Sequence, residues 1–79
     1  MNYVSLYDIK PGERAAVQQL LTTGPMRRRL LDLGLVPGTR IECVGQSPSG
    51  DPKAYLIRGA AIALRSEDAR NILIRQEVV

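Results

Sequence analysis

Gly24-Pro25-Met26-Arg27-Arg28-Arg29-Leu30-Leu31-Asp32-Leu33-Gly34-Leu35-Val36-Pro37-Gly38 is the stretch on which the reading of the fold turns. Proline suits the start of a helix, where its missing N–H costs nothing, and Met26, Leu30 and Leu33 recur at i, i+4 and i+7. The spacing predicts a short helix from Pro25 to about Leu33 with a single apolar stripe. Gly34 can take the left-handed conformation that ends a helix, and Leu35 would fold back onto Leu30 as the apolar contact of a Schellman cap. Pro37-Gly38 then reverses the chain. Pro25, Gly34, Pro37 and Gly38 are therefore read as cap and turn residues around the principal helix.

On either side of this stretch the pattern changes from helical to alternating. Pro11-Gly12 marks a turn, and Glu13 to Leu21 follows with Ala15, Val17 and Gln19 in alternation. That segment is read as a strand, although Ala, Gln and Leu are also good helix formers. Thr39 to Gly45 alternates with Ile41 and Cys43 on one face and Arg40 and Glu42 on the other, as a half-buried strand requires. Gln46 to Pro52 is nearly all turn-forming residues and is read as an exposed hairpin-like loop. Ala54 to Arg58 carries Tyr55 and Ile57 on one face, and after Gly59 another strand follows with Ile62 and Leu64. Ser66 is read as an N-cap, with Glu67 and Asp68 in the first turn of a short helix, ahead of a last strand near Ile72, Ile74 and Gln76. Five short strands joined by tight turns suggest a mainly β, small closed barrel.

Length and composition bound what such a barrel can do. Seventy-nine residues with 44% hydrophobic content, no Trp and no Phe make one domain, residues 1–79, with an aliphatic core. No apolar run is long enough to span a bilayer, and Met1 to Lys10 lacks the cationic and apolar regions of an export signal, so a cytoplasmic location is expected. One cysteine, Cys43, and no histidine remove a disulfide framework, a Cys/His zinc site and histidine-based acid–base catalysis. An Fe(II) site normally combines histidine with carboxylate, so any link to iron is expected to run through a partner, with no cofactor or metal held by the chain. Gly45 and Gly50 have the glycine spacing of a phosphate loop, but Asp51-Pro52 stands where Lys-Ser/Thr is needed. Cys43, mid-strand beside Ile41, reads as a buried inert thiol. These absences argue against an enzyme.

The stretch from Arg27 to Gly38 resembles the helix-and-turn signature of the FeoA family, small cytoplasmic proteins associated with bacterial ferrous iron uptake. Pro11-Gly12 with the following strand, Gly50-Asp51-Pro52 before a strand, and Ala63-Leu64-Arg65 leading into Ser66-Glu67-Asp68-Ala69 extend the resemblance over nearly the whole chain. The resemblance implies an SH3-like small barrel with a helix inserted after its first long strand. It also implies a non-enzymatic accessory or regulatory role, through protein–protein interaction with the membrane GTPase transporter FeoB at its cytoplasmic face. Similar domains attached to metal-responsive repressors belong to the same resemblance. Direct membrane insertion is not expected, and self-association is left open.

The net charge of +3 resides entirely in Arg27, Arg28 and Arg29, since the remaining eight basic residues balance eight acidic ones. Cations in the first turn of a helix oppose its dipole, and Arg28 and Arg29 have Asp32 at i+4 and i+3, whereas Arg27 has no such neighbour. A solvated helix face and a docking patch for a carboxylate- or phosphate-bearing partner both account for them. Leu35 with Val36, together with Asp51, Pro52 and Tyr55, complete the candidate partner-binding residues, Tyr3 and Tyr7 being possible neighbours of Tyr55 in a peptide groove. The alternative is a small nucleic-acid-binding barrel using the arginine cluster. It is disfavoured because none of the three tyrosines is interleaved with the arginines to stack bases.

Overall fold

The computed structural model describes residues 4–77. Its elements run β1 (Val4–Ser5), a 3-10 turn (Leu6–Asp8), β2 (Arg14–Leu20), α1 (Gly24–Asp32), β3 (Arg40–Gln46), β4 (Lys53–Ile57), β5 (Ala60–Leu64), α2 (Ser66–Ala69) and β6 (Ile72–Gln76). The strands form one antiparallel sheet in the order β1-β6-β2-β3-β4-β5. The strand expected over 13–21, the helix, the three strands after it and the short helix before the last strand are all present. There are six strands rather than five. The addition is β1, whose Val4 and Ser5 pair with Ile74 and Leu73 of β6. Among the described residues the outer strands β1 and β5 do not pair with each other.

The core is a single cluster to which almost every element contributes. Ala15, Val17 and Leu20 of β2, Leu30 of α1, Ile41 and Cys43 of β3, Tyr55 and Ile57 of β4, Leu64 of β5, Ala69 of α2, and Ile72 and Ile74 of β6 are buried, with Leu6 of the 3-10 turn and Ile9 and Leu35 from the connections. Gln19 does not follow Ala15 and Val17 inwards as simple alternation requires. The β2–β6 register shifts between Val17 and Gln19, so Leu20, opposite Ile72, takes the inward position and Gln19 is exposed. A bulge of this kind changes the phase of a strand and increases its local twist, which helps a small sheet curl over a core. A second shift between Cys43 and Gly45 does the same in β3.

Candidate interaction surface

The turn after α1 is built as its residues require. Gly34 has φ +99; its N–H bonds to the Leu31 carbonyl and the Leu35 N–H to the Leu30 carbonyl, both at 3.0 Å, which is the Schellman pattern. Val36-Pro37-Gly38-Thr39 forms the following turn, closed by the Thr39 N–H to the Val36 carbonyl at 3.0 Å, with Gly38 at φ +92 in the position that demands it. The Thr39 hydroxyl donates to the Gly34 carbonyl at 2.8 Å and ties the two turns together. Gly34 also has a close neighbour that no local pattern shows. A Cβ there would lie 2.6 Å from Cδ of Arg58, whose side chain crosses from the β4–β5 turn over the end of the helix. Leu35, named above as a candidate partner contact, is wholly buried beside Leu30. The cap that turns it onto Leu30 also removes it from any partner's reach, while Val36 is half-buried.

Arg27 closes the first turn of α1 and Arg28 follows it, but Arg29 falls in the last turn, where the dipole favours a cation. Gly24 has φ +69, so Pro25 is the first residue able to hold helical dihedrals. Successive helical positions point about 100° apart, and the three side chains diverge accordingly. Arg27 donates from Nη1 to the Leu20 carbonyl at 3.1 Å, anchoring the helix to the end of β2. Arg28 pairs with Asp32 at 3.7 Å in full exposure. Arg29 lines a groove against β5 and α2 with Met26, Leu33 and Ile62. They are adjacent in sequence and all exposed, but they engage three different neighbours.

Asp51, Pro52 and Tyr55 also have structural partners. Asp51 reaches from the β3–β4 loop to the start of α2, where its carboxylate accepts from the Ser66 N–H at 2.8 Å and the Ser66 hydroxyl at 3.1 Å. Ser66 is thus the first residue of α2 and not its cap; Arg65 holds the cap position without a side-chain bond, and Asp51 supplies the acceptor from 15 residues away. The Pro52 carbonyl accepts from the Ser47 N–H at 3.1 Å and closes the loop. Tyr55 is fully buried, its hydroxyl 3.4 Å from the Leu6 carbonyl, and burial, with Cys43 next in effect, pushes its pKa well above the ordinary tyrosine value. It therefore lines no groove. Tyr7 is half-buried beneath two cations, with Lys53 Nζ at 4.5 Å and the Arg70 guanidinium at 4.7 Å from its ring centre. Lys53 also donates to the Tyr7 and Ile9 carbonyls at 2.7 and 3.2 Å, pinning the N-terminal turn to β4. Tyr3 lies outside the described residues.

What remains at the surface is the β4–β5 hairpin and its surroundings, which composition and motifs did not single out. Leu56 and Val44 are exposed on the solvent side of the sheet. A shallow hollow there of about 250 Å³ is bordered by Arg14, Arg40, Glu42, Leu56, Arg58 and Glu77. Its acids are engaged, Glu42 with Arg14 and Glu77 with Arg40, both at 3.4 Å. Among the described residues no three His, Cys, Asp or Glu side chains converge, and Cys43 is buried. These surfaces offer recognition through backbone edges, apolar contact and guanidinium groups.

A family model described as the FeoA domain matches residues 4–76. The Fe(2+) transport protein A/Fe(2+) transporter FeoB fusion protein of Porphyromonas gingivalis is 34% identical over 67 residues, covering 85% of this chain. The chain spans only 8% of the length of that relative. The solution structure of FeoA from Chlorobium tepidum superposes with a TM-score of 0.89 at 32% identity, over 95% of this chain and 71% of that one. Stenotrophomonas maltophilia FeoA, crystallised with zinc and described as a prokaryotic SH3 domain protein, matches with a TM-score of 0.82 at 25% identity, over 94% and 95% of the two chains. The mainly β, SH3-like architecture is thus shared with these structures.

Proposed function

The chain belongs to the FeoA family, and on that premise we propose that it is a non-enzymatic accessory and regulatory protein of bacterial ferrous iron uptake, acting by binding the cytoplasmic face of a FeoB-type membrane GTPase transporter. The observation that carries this reading is the relative in which an FeoA-like segment and a FeoB transporter are one polypeptide. Covalent linkage holds two modules at high effective concentration, which is useful where the modules meet. The residues are consistent with a binding role, since the exposed groups around the β4–β5 hairpin are backbone edge, aliphatics and arginines. No helix among the described residues is long and apolar enough to cross a membrane, so contact with a transporter would be made from its aqueous side.

Titration of the protein with the soluble cytoplasmic region of a FeoB-type transporter, in each nucleotide state, tests the reading. A complex with Kd below roughly 100 μM, equivalent to about -5.5 kcal/mol, is expected in at least one state. Absence of binding in both states at low salt would remove direct contact from the account.

A further inference from the structure

Among the described residues, the sheet edge at β5 has no strand partner. Arg58 and Gly59, which join β4 to β5, have φ +49 and +83, the left-handed pair of a type I′ hairpin. In such a hairpin the flanking residues, Ile57 and Ala60, exchange both hydrogen bonds, and bonded pairs then alternate along the ladder. Tyr55–Ile62 and Lys53–Leu64 are the next bonded pairs, so Ala61 and Ala63, opposite Leu56 and Ala54, turn their N–H and C=O groups away from β4. β5 is last in the strand order, and no described residue supplies these groups with a backbone partner. Protein edges are usually blunted by proline, a bulge or an inward charge. Ala60 to Leu64 has none of these, and its five pairs with β4 are regular.

Both sides of this edge suit the side chains of an added strand, which would alternate between them. On the solvent side Ala61 and Ala63 are exposed and small, and Leu56, directly across from Ala61, is 38% exposed. On the other side runs the groove of about 400 Å³ between β5 and α1, lined by Met26, Leu33 and Ile62. Arg58 and Arg65 bracket the strand and Arg29 faces the groove; none of the three is in an ion pair among the described residues. Glu67 and Asp68 stand at the groove's far end, where α2 begins. Antiparallel pairing of two copies about Ile62 would bring Arg65 of each to the Arg58–Gly59 turn of the other, so like charges oppose self-pairing and favour an acidic segment.

We propose that the β5 edge takes up an extended segment of a partner protein as a seventh strand. The backbone of Ala61 and Ala63 supplies the hydrogen bonds, an apolar side chain of the segment lies over Leu56, and carboxylates meet Arg58 and Arg65. The proposal rests on the reading that the protein acts by binding a transporter, and adds the place and manner of contact.

Amide hydrogen exchange of the full chain, measured with and without the soluble cytoplasmic region of a FeoB-type transporter, tests it on the unsubstituted protein. Exchange at Ala61 and Ala63 should slow by about tenfold or more in the complex, as expected for new backbone hydrogen bonds. Ala63→Pro removes an N–H that β4 does not use and should weaken binding by about tenfold, whereas Ala63→Ser, which keeps the backbone donor, should bind as the parent does. A complex in which both amides exchange at their free rates would overturn the edge proposal and leave the transporter reading standing. No complex at all would overturn both. Protection that grows with the concentration of this chain alone would replace the acidic partner with a second copy and overturn the assignment of the occupant.

Discussion

The C-terminal end of α1 and the N-terminal end of α2 face the same difficulty, backbone groups orphaned where a helix stops, and meet it from very different distances along the chain. At α1 the solution is local: Leu30, Leu31, Gly34 and Leu35 bond among themselves within six residues. At α2 the acceptor is Asp51, carried in by the β3–β4 loop. A local cap is written in residue order and forms wherever the helix forms. A remote cap exists only once the sheet has brought loop and helix together, so it couples the helix to the fold without itself nucleating anything.

Four measurements would break or sharpen that contrast. Leu35→Ala should have the largest effect, about 2 to 5 kcal/mol in chemical denaturation, because Leu35 is both the apolar contact of the cap and a wholly buried core residue. A loss below about 1 kcal/mol would mean that the core collapses onto the gap or that the cap carries less than its geometry implies. Gly34→Ala should cost about 1 to 2 kcal/mol for an alanine held in the left-handed region. Adding Arg58→Ala should recover little of this, since the Arg58 atoms near the new Cβ belong to a flexible side chain that can swing aside. A large recovery would make the Arg58 crossing, rather than the φ of +99, the reason for glycine.

Asp51→Ala should cost about 0.5 to 2 kcal/mol, the range for losing a helix cap, and should accelerate amide exchange at Ser66 before exchange rises in the strands. Global destabilisation without that local signature would place the role of Asp51 in the loop. The smallest effect is expected at the arginines. Arg28→Gln should change stability by less than about 0.5 kcal/mol, because it removes one exposed pair with Asp32. Arg27→Gln should exceed it by roughly 1 kcal/mol through loss of the bond to the Leu20 carbonyl. Equal effects at the two positions would return them to a single solvated face.

Residues governed by their immediate neighbours were legible: the helix stripe, the Gly34 cap, the Pro37-Gly38 turn and the alternation of β3 and β4. Gln19 was misplaced because a bulge is a relation between two strands, and β2 alone contains only the unbroken alternation. The N-terminal Val4 to Ile9 segment went unread since β1 has two residues, although Leu6 and Ile9 prove fully buried. The candidate interaction surface was least legible. Arg27, Arg28 and Arg29 drew attention as a charge run, yet helical geometry sends them to three different neighbours. Leu35, Asp51 and Tyr55 were candidate contacts by residue type, and the fold employs each of them internally.

The sequence by itself determined the class of protein and the chemistry it lacks. Histidine is absent, the one cysteine stands in an alternating strand, and turns occur every few residues, all of which are properties of composition and short spacing. Tertiary structure alone decided which residues are left free to meet a partner. β5 reads as an unremarkable run of alanines with two larger aliphatics, and its free edge arises because β4 occupies one side and no described strand occupies the other. Backbone hydrogen-bonding capacity is the same at every non-proline residue, so nothing in a residue's identity records whether that capacity has been spent; only the arrangement of strands does.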